Sequence, residues 1–228
     1  MLEKLNASGY IFSKLNYTKE LERVLNKITY CYKIMLEDNI RIPANDENKI
    51  RDILLLKYLK NDVIRKEVSL TEFLFEREVQ EDFTVGRTDI KVQTSNTFVT
   101  QTAYYIIECK RLDNKAKRGV SGLNAEYIKN GIYRFVKNYY SSHYNTNAMI
   151  GFVVEPMDID SNIEDLNYLL KKNYKNANTI SEISKESFIS DLKYHYSSSH
   201  KTTNDIELKL FHLMFDFSNN THNWLIHL

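Results

Sequence analysis

The sequence predicts an α/β fold in which a mixed central sheet is flanked by helices. Apolar residues recur at helical spacing between residues 19 and 37, and the pattern becomes strand-like from residue 73. Helical spacing returns after residue 120. Because these segments follow one another without a Gly- or Pro-rich linker, we expect a single domain over residues 1–228.

The N-terminal part of the chain is predicted to be helical. Its apolar stripe, three or four residues apart, consists of Leu21, Val24, Leu25, Ile28, Tyr32, Met35 and Leu36. Pro43 ends this segment, and Asn45 or Asp46 is placed to cap a second helix. Glu47 falls in the first turn of that helix, where a carboxylate suits the helix dipole. The inner face of the second helix would carry Ile50, Ile53, Leu54 and Tyr58.

Strand-like segments follow. Their β-branched and aromatic residues predict three consecutive strands, at residues 73–79, 85–92 and 97–107. Because only short polar segments separate the three strands, they would pair as an antiparallel meander. A polar loop is expected at residues 113–118.

The second half of the chain alternates again. We predict a helix over residues 120–140, a short buried strand over 148–155, and a helix over 158–175. Residues 178–196 fit neither pattern clearly, and residues 206–217 favour a late strand.

The charge balance limits the kind of partner the chain has. Its 31 Lys and Arg residues and 30 Asp and Glu residues give a formal net charge of +1, whereas proteins that coat nucleic acid are strongly basic. Any nucleic-acid surface would therefore be local, which suits an enzyme that releases its product. The two cysteines, Cys31 and Cys109, are too few for a four-thiolate zinc site. Since no apolar stretch suits a signal peptide or a membrane span, we expect a cytoplasmic protein.

Three charged residues in the strand region predict a reaction centre. Glu108 and Lys110 follow the apolar residues 104–107 and, being two apart, share one face of a strand, while Cys109 points to the core. Charges in such a position are costly unless they are paired or bind a metal. If Asp89 lies on the neighbouring strand, two carboxylates and one ammonium meet at one end of the sheet.

This grouping has the chemistry that hydrolysis of a phosphodiester needs. Mg²⁺ takes oxygen ligands, so Asp89 and Glu108 would bind Mg²⁺ or Mn²⁺, with the backbone carbonyl of Cys109 as a third ligand. The metal would polarise the phosphate and acidify a bound water. Lys110 would orient that water, stabilise the transition state, or do both.

The order of these residues resembles the motif of the PD-(D/E)xK nuclease superfamily. Asp89 is followed, after eighteen residues, by Glu108-Cys109-Lys110, with an apolar run before the Glu and a predicted helix after the Lys. The resemblance covers about residues 45–155, so the N-terminal helical part and the mixed C-terminal part would be extensions. Thr88 stands where the motif's name has proline. The glutamine that some relatives carry on the following helix is absent from residues 124–127.

The resemblance implies a restriction-endonuclease-like core and the activity of a metal-dependent DNA endonuclease. It implies metal ligands at Asp89 and Glu108, a catalytic lysine at Lys110, and an accessory acidic ligand at Glu47. It also implies a homodimer, because cutting both strands of DNA needs two sites.

A cluster of basic residues after the motif would hold the nucleic-acid backbone. Its members are Arg111, Lys115, Lys117 and Arg118. The same residues are also typical of a solvated loop without a binding role.

Two other functions stay open on the sequence. One is a catalytically weak or inactive nucleic-acid-binding module of the same fold, and the other is a hydrolase that uses Cys109 or a histidine. His195 and His200 fall in a serine-rich segment that favours a polar loop, where they would contact nucleic acid or act as a general base. His212 lies in an apolar stretch and is predicted to be a core histidine.

Overall fold

The computed structural model describes residues 7–79, 87–140 and 143–222. Its α-helices are α1 (Ala7–Glu37), α2 (Glu47–Asp52), α3 (Asp62–Glu67), α4 (Ser95–Val99), α5 (Leu123–Tyr127), α6 (Tyr133–Val136) and α7 (Ile159–Lys172). A π-helical segment, Ile53–Leu59, continues α2, another, Ile128–Ile132, joins α5 to α6, and short 3-10 turns lie at His143–Asn145 and Lys175–Ala177. The strands are β1 (Ile42–Pro43), β2 (Leu74–Arg77), β3 (Ile90–Gln93), β4 (Tyr104–Leu112), β5 (Thr146–Val153), β6 (Thr179–Lys185), β7 (His195–Lys201), β8 (Glu207–Asp216) and β9 (Thr221–His222).

Seven of the strands form one mixed sheet in the order β2-β3-β4-β5-β8-β7-β6. The strands β2, β3 and β4 are antiparallel neighbours, as predicted, and β4, β5 and β8 run parallel. The strands β8, β7 and β6 are again antiparallel, while β1 and β9 form a separate parallel pair. The α5–α6 segment crosses from β4 to β5, as parallel neighbours require.

Helices cover both faces of this sheet, which confirms the α/β class. On one face α1 and α2 pack over Ile107 and Cys109 of β4. On the other face α5, α6 and α7 pack over Ile106 and Leu112 of the same strand. Because alternate residues of β4 belong to two cores, this strand is buried along nearly its whole length. No helix in the described part of the chain is long and apolar enough to cross a membrane.

Most predicted elements are present with shifted ends. The helix predicted over residues 19–37 lies within α1, which begins at Ala7, and the elements predicted at 148–155, 158–175 and 206–217 are β5, α7 and β8. Asp46, not Asn45, caps α2: its side chain accepts a hydrogen bond of 3.0 Å from the Lys49 amide.

The third predicted strand begins too early. Residues Ser95–Val99 form α4, and β4 begins only at Tyr104. The Thr94 hydroxyl accepts from the Asn96 amide while the Thr97 hydroxyl accepts from the Thr94 amide. These local hydrogen bonds offer the backbone an alternative to a strand ladder, so they override the strand propensity of the segment. In the second predicted strand, pairing starts at Ile90, and residues 85–86 lie outside the described part.

The helix predicted over residues 120–140 is present but ends at Val136. Its π-helical turn lies very close to β5, because Gly131 has no side chain: a Cβ there would clash with the end of Met149. π-Helical turns often occur at functional sites, and the two helical segments that reach Glu108 and Lys110 of β4 each contain one.

The prediction of a polar loop around His195 and His200 is wrong. Both residues belong to β7, which pairs with β8 along its full length, and both are buried. Sheet pairing and burial override the weak strand propensity of the serines. The prediction that His212 is a core histidine is confirmed, since its side chain is fully buried.

Candidate active site

The centre of β4 brings Asp89 and Glu108 together. Ile90 pairs with Ile107 across the β3–β4 ladder, so the residue before one lies beside the residue after the other. The Cys109 amide donates a hydrogen bond of 2.8 Å to Oδ2 of Asp89. The meander therefore places a carboxylate from β3 at the strand that carries Glu108.

Lys110 lies at the middle of this group. Its Nζ is 2.8 Å from Oε1 of Glu108, 3.0 Å from Oε1 of Glu47 and 3.8 Å from Oδ2 of Asp89. Nζ also donates to the Cys109 carbonyl at 2.7 Å. Glu47 reaches the site from the first turn of α2, where its Oε2 accepts from the Arg111 amide at 2.8 Å. The three acidic residues proposed from the sequence, Glu47, Asp89 and Glu108, thus converge on the ammonium group of the fourth, Lys110.

Two arginines and a tyrosine that sequence reasoning missed complete the site. Arg51 of α2 binds Oδ1 of Asp89 at 3.0 Å. Arg134 of α6 binds Oε1 of Glu108 at 2.7 Å, and the Tyr140 hydroxyl donates to Oε2 of Glu108 at 2.6 Å. One signal for Arg51 was available, because it lies one helical turn after Glu47. The sequence holds no comparable signal for Arg134 and Tyr140.

The ion pairs join into one continuous network among the described residues. Its five carboxylates belong to Glu47, Asp52, Glu78, Asp89 and Glu108, and its five basic groups belong to Arg51, Arg77, Arg87, Lys110 and Arg134. The formal charges cancel. A phosphodiester would therefore gain little long-range attraction from this network unless a cation were added to it.

Burial and neighbouring charges together set the pKa values of Glu108 and Lys110. The Glu108 side chain is 0% exposed, and this burial, together with repulsion from Asp89, raises its pKa to about 7 in spite of the nearby Lys110 and Arg134. Burial alone would lower the pKa of Lys110, but Glu108, Asp89 and Glu47 together raise it above its ordinary value. Lys110 is therefore a charged donor at neutral pH.

The thiol of Cys109 is fully buried on the opposite side of β4. Burial raises its pKa well above the ordinary value. Since the nucleophile of a thiol hydrolase is the thiolate, the structure gives no support to that alternative.

Three of the four basic residues after the motif, Arg111, Lys115 and Arg118, have separate local partners. The Arg111 guanidinium donates to the Ala44 carbonyl, Lys115 pairs with Glu155, and Arg118 pairs with Asp165. Lys117 is partly exposed. The side chains of Lys115 and Arg118 are largely exposed, so their proposed contact with nucleic acid stays a prediction.

The oxygen atoms of the site suit a hard cation. Among the described residues no group of three or more His, Cys, Asp and Glu side chains forms an assembled metal site. The carboxylates of Glu47, Asp89 and Glu108 surround the ammonium of Lys110 instead, together with the Cys109 carbonyl. This oxygen cradle already holds a positive charge, and its donors are those that Mg²⁺ and Mn²⁺ prefer.

A second buried polar cluster lies between β7, β8 and α5. Oγ of Ser198 is 2.8 Å from Nε2 of His200 and 2.8 Å from Nε2 of His212. Nδ1 of His212 is 2.8 Å from the Tyr127 hydroxyl, and Nδ1 of His200 is 3.0 Å from the Ala177 carbonyl. These five residues form a chain of hydrogen bonds that is separate from the ion network.

Comparisons with protein-family models, with curated proteins and with solved structures give no significant match. The function of this protein must therefore be inferred from the residues of the site and their geometry.

Proposed function

We propose that this protein is a metal-dependent nuclease that hydrolyses phosphodiester bonds in nucleic acid, most simply as a DNA endonuclease. The observation that carries the proposal is the convergence of Glu47, Asp89 and Glu108 on Lys110 at the centre of a mixed sheet. Glu108 and Lys110 are buried, and Asp89 and Glu47 are partly exposed beside them. Because desolvating charges costs folding free energy, such a group contributes little net stability, which favours a functional role for it. Phosphodiester hydrolysis uses this combination of groups.

The order of elements supports the same proposal. The helix α2, the meander β2-β3-β4, the α5–α6 crossover and the parallel strand β5 follow one another along residues 47–153. We propose that these elements are a restriction-endonuclease-like core, with α1 and the elements after β5 as extensions.

Each residue has a distinct role in this proposal. Asp89, Glu108 and the Cys109 carbonyl would hold Mg²⁺ or Mn²⁺, with Glu47 as an accessory ligand. The cation would polarise the scissile phosphodiester and acidify the attacking water. Lys110, held as an ammonium, would donate to oxygen atoms that gain negative charge during the reaction. The basic residues 115–118 would contact the backbone further along the substrate.

The deciding experiment is cleavage of supercoiled plasmid DNA in Mg²⁺, Mn²⁺ or EDTA. Wild type should nick or linearise the plasmid only with a divalent metal, and Lys110→Ala and Asp89→Asn should not. Asp160→Asn is the matched control, because Asp160 is an ion-paired carboxylate at Lys185, away from the site. Full activity in Lys110→Ala or Asp89→Asn would show that the assigned residues are wrong.

One observation favours a second candidate, a nucleic-acid-binding module of the same fold with little or no catalysis. Both oxygens of Glu108 already bind the protein's own donors, from Lys110, Arg134 and Tyr140. A degenerate site would keep these contacts and take no metal.

Thermal unfolding with Mn²⁺ separates the two candidates. A functional metal site should stabilise wild type by about 2.7 kcal/mol when Mn²⁺ is at a hundred times its Kd, and Asp89→Asn should lose this effect. No Mn²⁺-dependent stabilisation, together with no cleavage of plasmid, single-stranded DNA or RNA, would favour the binding module.

A further inference from the structure

Two of the five N–H groups of the Arg134 guanidinium are hydrogen-bonded within the described residues. Its Nη1 carries two hydrogens, and these go to Oε1 of Glu108 at 2.7 Å and to the Tyr140 hydroxyl at 3.1 Å. Its Nε and Nη2 donate to no atom within residues 7–79, 87–140 and 143–222. The Arg134 side chain is 35% exposed, so these donors meet solvent.

The free donors lie on one edge of the guanidinium. Nε and Nη2 point in parallel from that edge, which matches the spacing of two oxygens on one phosphate. The opposite corner, Nη1, is fixed to Glu108 beside Lys110. Arg134 therefore presents a rigid pair of donors at the reaction centre.

Arg51 provides an internal comparison. Its Nε, Nη1 and Nη2 all donate to carboxylates, those of Asp52, Asp89 and Glu78, and its side chain is 3% exposed. Arg51 has no edge left for a ligand and serves to hold Asp89. The two arginines thus sit on the two central carboxylates, but only Arg134 keeps an accessible edge.

We infer that Arg134 is a substrate-binding residue whose Nε–Nη2 edge takes two non-bridging oxygens of a backbone phosphate at the cleavage site. This inference rests on the proposed nuclease function and adds to it the residue that seats the phosphate. Tyr140 is the positioning residue, because its hydroxyl accepts from Nη1 and donates to Glu108. The contact itself needs no metal, because it is a short-range pair of charged hydrogen bonds from Nε and Nη2, which no described residue accepts. The cancelled charges of the ion network limit only the long-range attraction.

The test measures DNA binding in EDTA, where metal-dependent cleavage does not occur. The fluorescence anisotropy of a labelled duplex oligonucleotide is titrated with wild type, Arg134→Gln and Arg134→Lys over a series of salt concentrations. Arg23→Gln is the matched control: Arg23 is an exposed arginine on α1, at the other face of the sheet, and it pairs with Glu72. Circular dichroism and thermal unfolding confirm that each variant folds.

The expected result is specific to one phosphate contact. Arg134→Gln should weaken binding about tenfold at low salt and reduce the slope of log K against log salt by about one. Arg134→Lys should keep the slope but bind more weakly than wild type, because an ammonium lacks the paired donors. Arg23→Gln should bind as wild type does.

An unchanged salt slope in Arg134→Gln would overturn the inference, and so would a wild type that does not bind DNA in EDTA at low salt. The proposed function fails differently, by the absence of metal-dependent cleavage. A protein that shows the Arg134-dependent slope but cuts nothing would keep Arg134 as a phosphate contact in a binding module.

Discussion

The histidine chain and the ion network differ in how many of their hydrogen-bonding groups already have partners among the described residues. The chain Tyr127–His212–Ser198–His200 is neutral, whereas the network around Lys110 is built from full charges. Both clusters lie between the seven-stranded sheet and its helices, and both place polar side chains where apolar ones would pack. The hydrogen bonds that each cluster makes indicate that the histidine chain is structural and that the ion network is the candidate reaction centre.

The ring nitrogens and hydroxyl groups of the histidine chain all have hydrogen-bond partners. The Ala177 carbonyl only accepts, so Nδ1 of neutral His200 carries its proton, and Nε2 must accept from Ser198. Oγ of Ser198 then accepts from Nε2 of His212, whose Nδ1 accepts from the Tyr127 hydroxyl. Every hydrogen in the chain has one acceptor, and burial lowers the pKa of His200 to about 4 and that of His212 to about 3. Such a chain specifies how β7, β8 and α5 pack.

The ion network, by contrast, has hydrogen-bond donors without an acceptor among the described residues. Nε and Nη2 of Arg134 have no acceptor in the described part of the chain, and the carboxylates of Glu47, Asp89 and Glu108 share a cation that is itself a side chain. Unused donors and concentrated charge are what a substrate or metal requires. The contrast predicts that changes in the ion network alter activity, whereas changes in the histidine chain alter stability.

The largest expected effect is on catalysis. Glu108→Gln should lower the rate of cleavage by at least about 100-fold, the scale expected when a preorganised charged group is lost. Its free energy of unfolding in EDTA at pH 8 should not fall, because the folded state raises the pKa of Glu108 to about 7 and so disfavours the ionised form that Gln removes. Urea unfolding measures this, with Glu186→Gln, a carboxylate paired with Lys209, as control. A large loss of stability in Glu108→Gln would mean that the ion network, like the histidine chain, serves to hold the fold together.

The next effect is on acid stability. His200 and His212 have lowered pKa values in the folded state, so below about pH 6.5 the unfolded chain binds protons that the folded chain does not. Each histidine should therefore lower the free energy of unfolding by about 1.4 kcal/mol per pH unit between about pH 6.5 and 4. Glu108, whose pKa is raised in the folded state, has the opposite sign and offsets about one histidine's share over most of that range. His212→Gln should reduce this slope by about one histidine's share in urea unfolding at pH 7, 6 and 5. An unchanged slope would mean that His212 is not held neutral.

A smaller effect follows from breaking the histidine chain at its centre. Ser198→Ala leaves the facing nitrogens of His200 and His212 without partners, which should cost about 1–3 kcal/mol of stability. Ser197→Ala is the matched control, because the neighbouring Ser197 is partly exposed and its hydroxyl donates to Glu186, so less than about 1 kcal/mol is expected. Cleavage by folded Ser198→Ala should equal that of wild type. Lost cleavage would link the two clusters.

The smallest effect concerns the outer acid of the site. Glu47 is 30% exposed and is one of three carboxylates on Lys110, so its charge is better screened than that of Glu108. Glu47→Gln should therefore lower the rate by less than Glu108→Gln does, by about tenfold at most. Equal rate losses in the two variants would make Glu47 an obligatory ligand.

Sequence patterns by themselves determined the fold class and the core of the candidate site. The apolar stripes placed α1, β5, α7 and β8, because hydrophobic periodicity follows directly from which face an element buries. Strand alternation put Glu108 and Lys110 on one face, with Cys109 on the other. These are local relations, so they are visible in the order of the residues.

Only the tertiary structure decided which distant groups meet. Arg134 and Tyr140 reach Glu108 through the crossover helix, and His195 and His200 become strand residues because β8 lies beside them. The start of the third strand was also decided by competition, between strand propensity and the capping hydrogen bonds of Thr94 and Thr97. Such contacts depend on the packing of whole layers and on buried charges finding partners, and neither quantity is encoded in a local pattern.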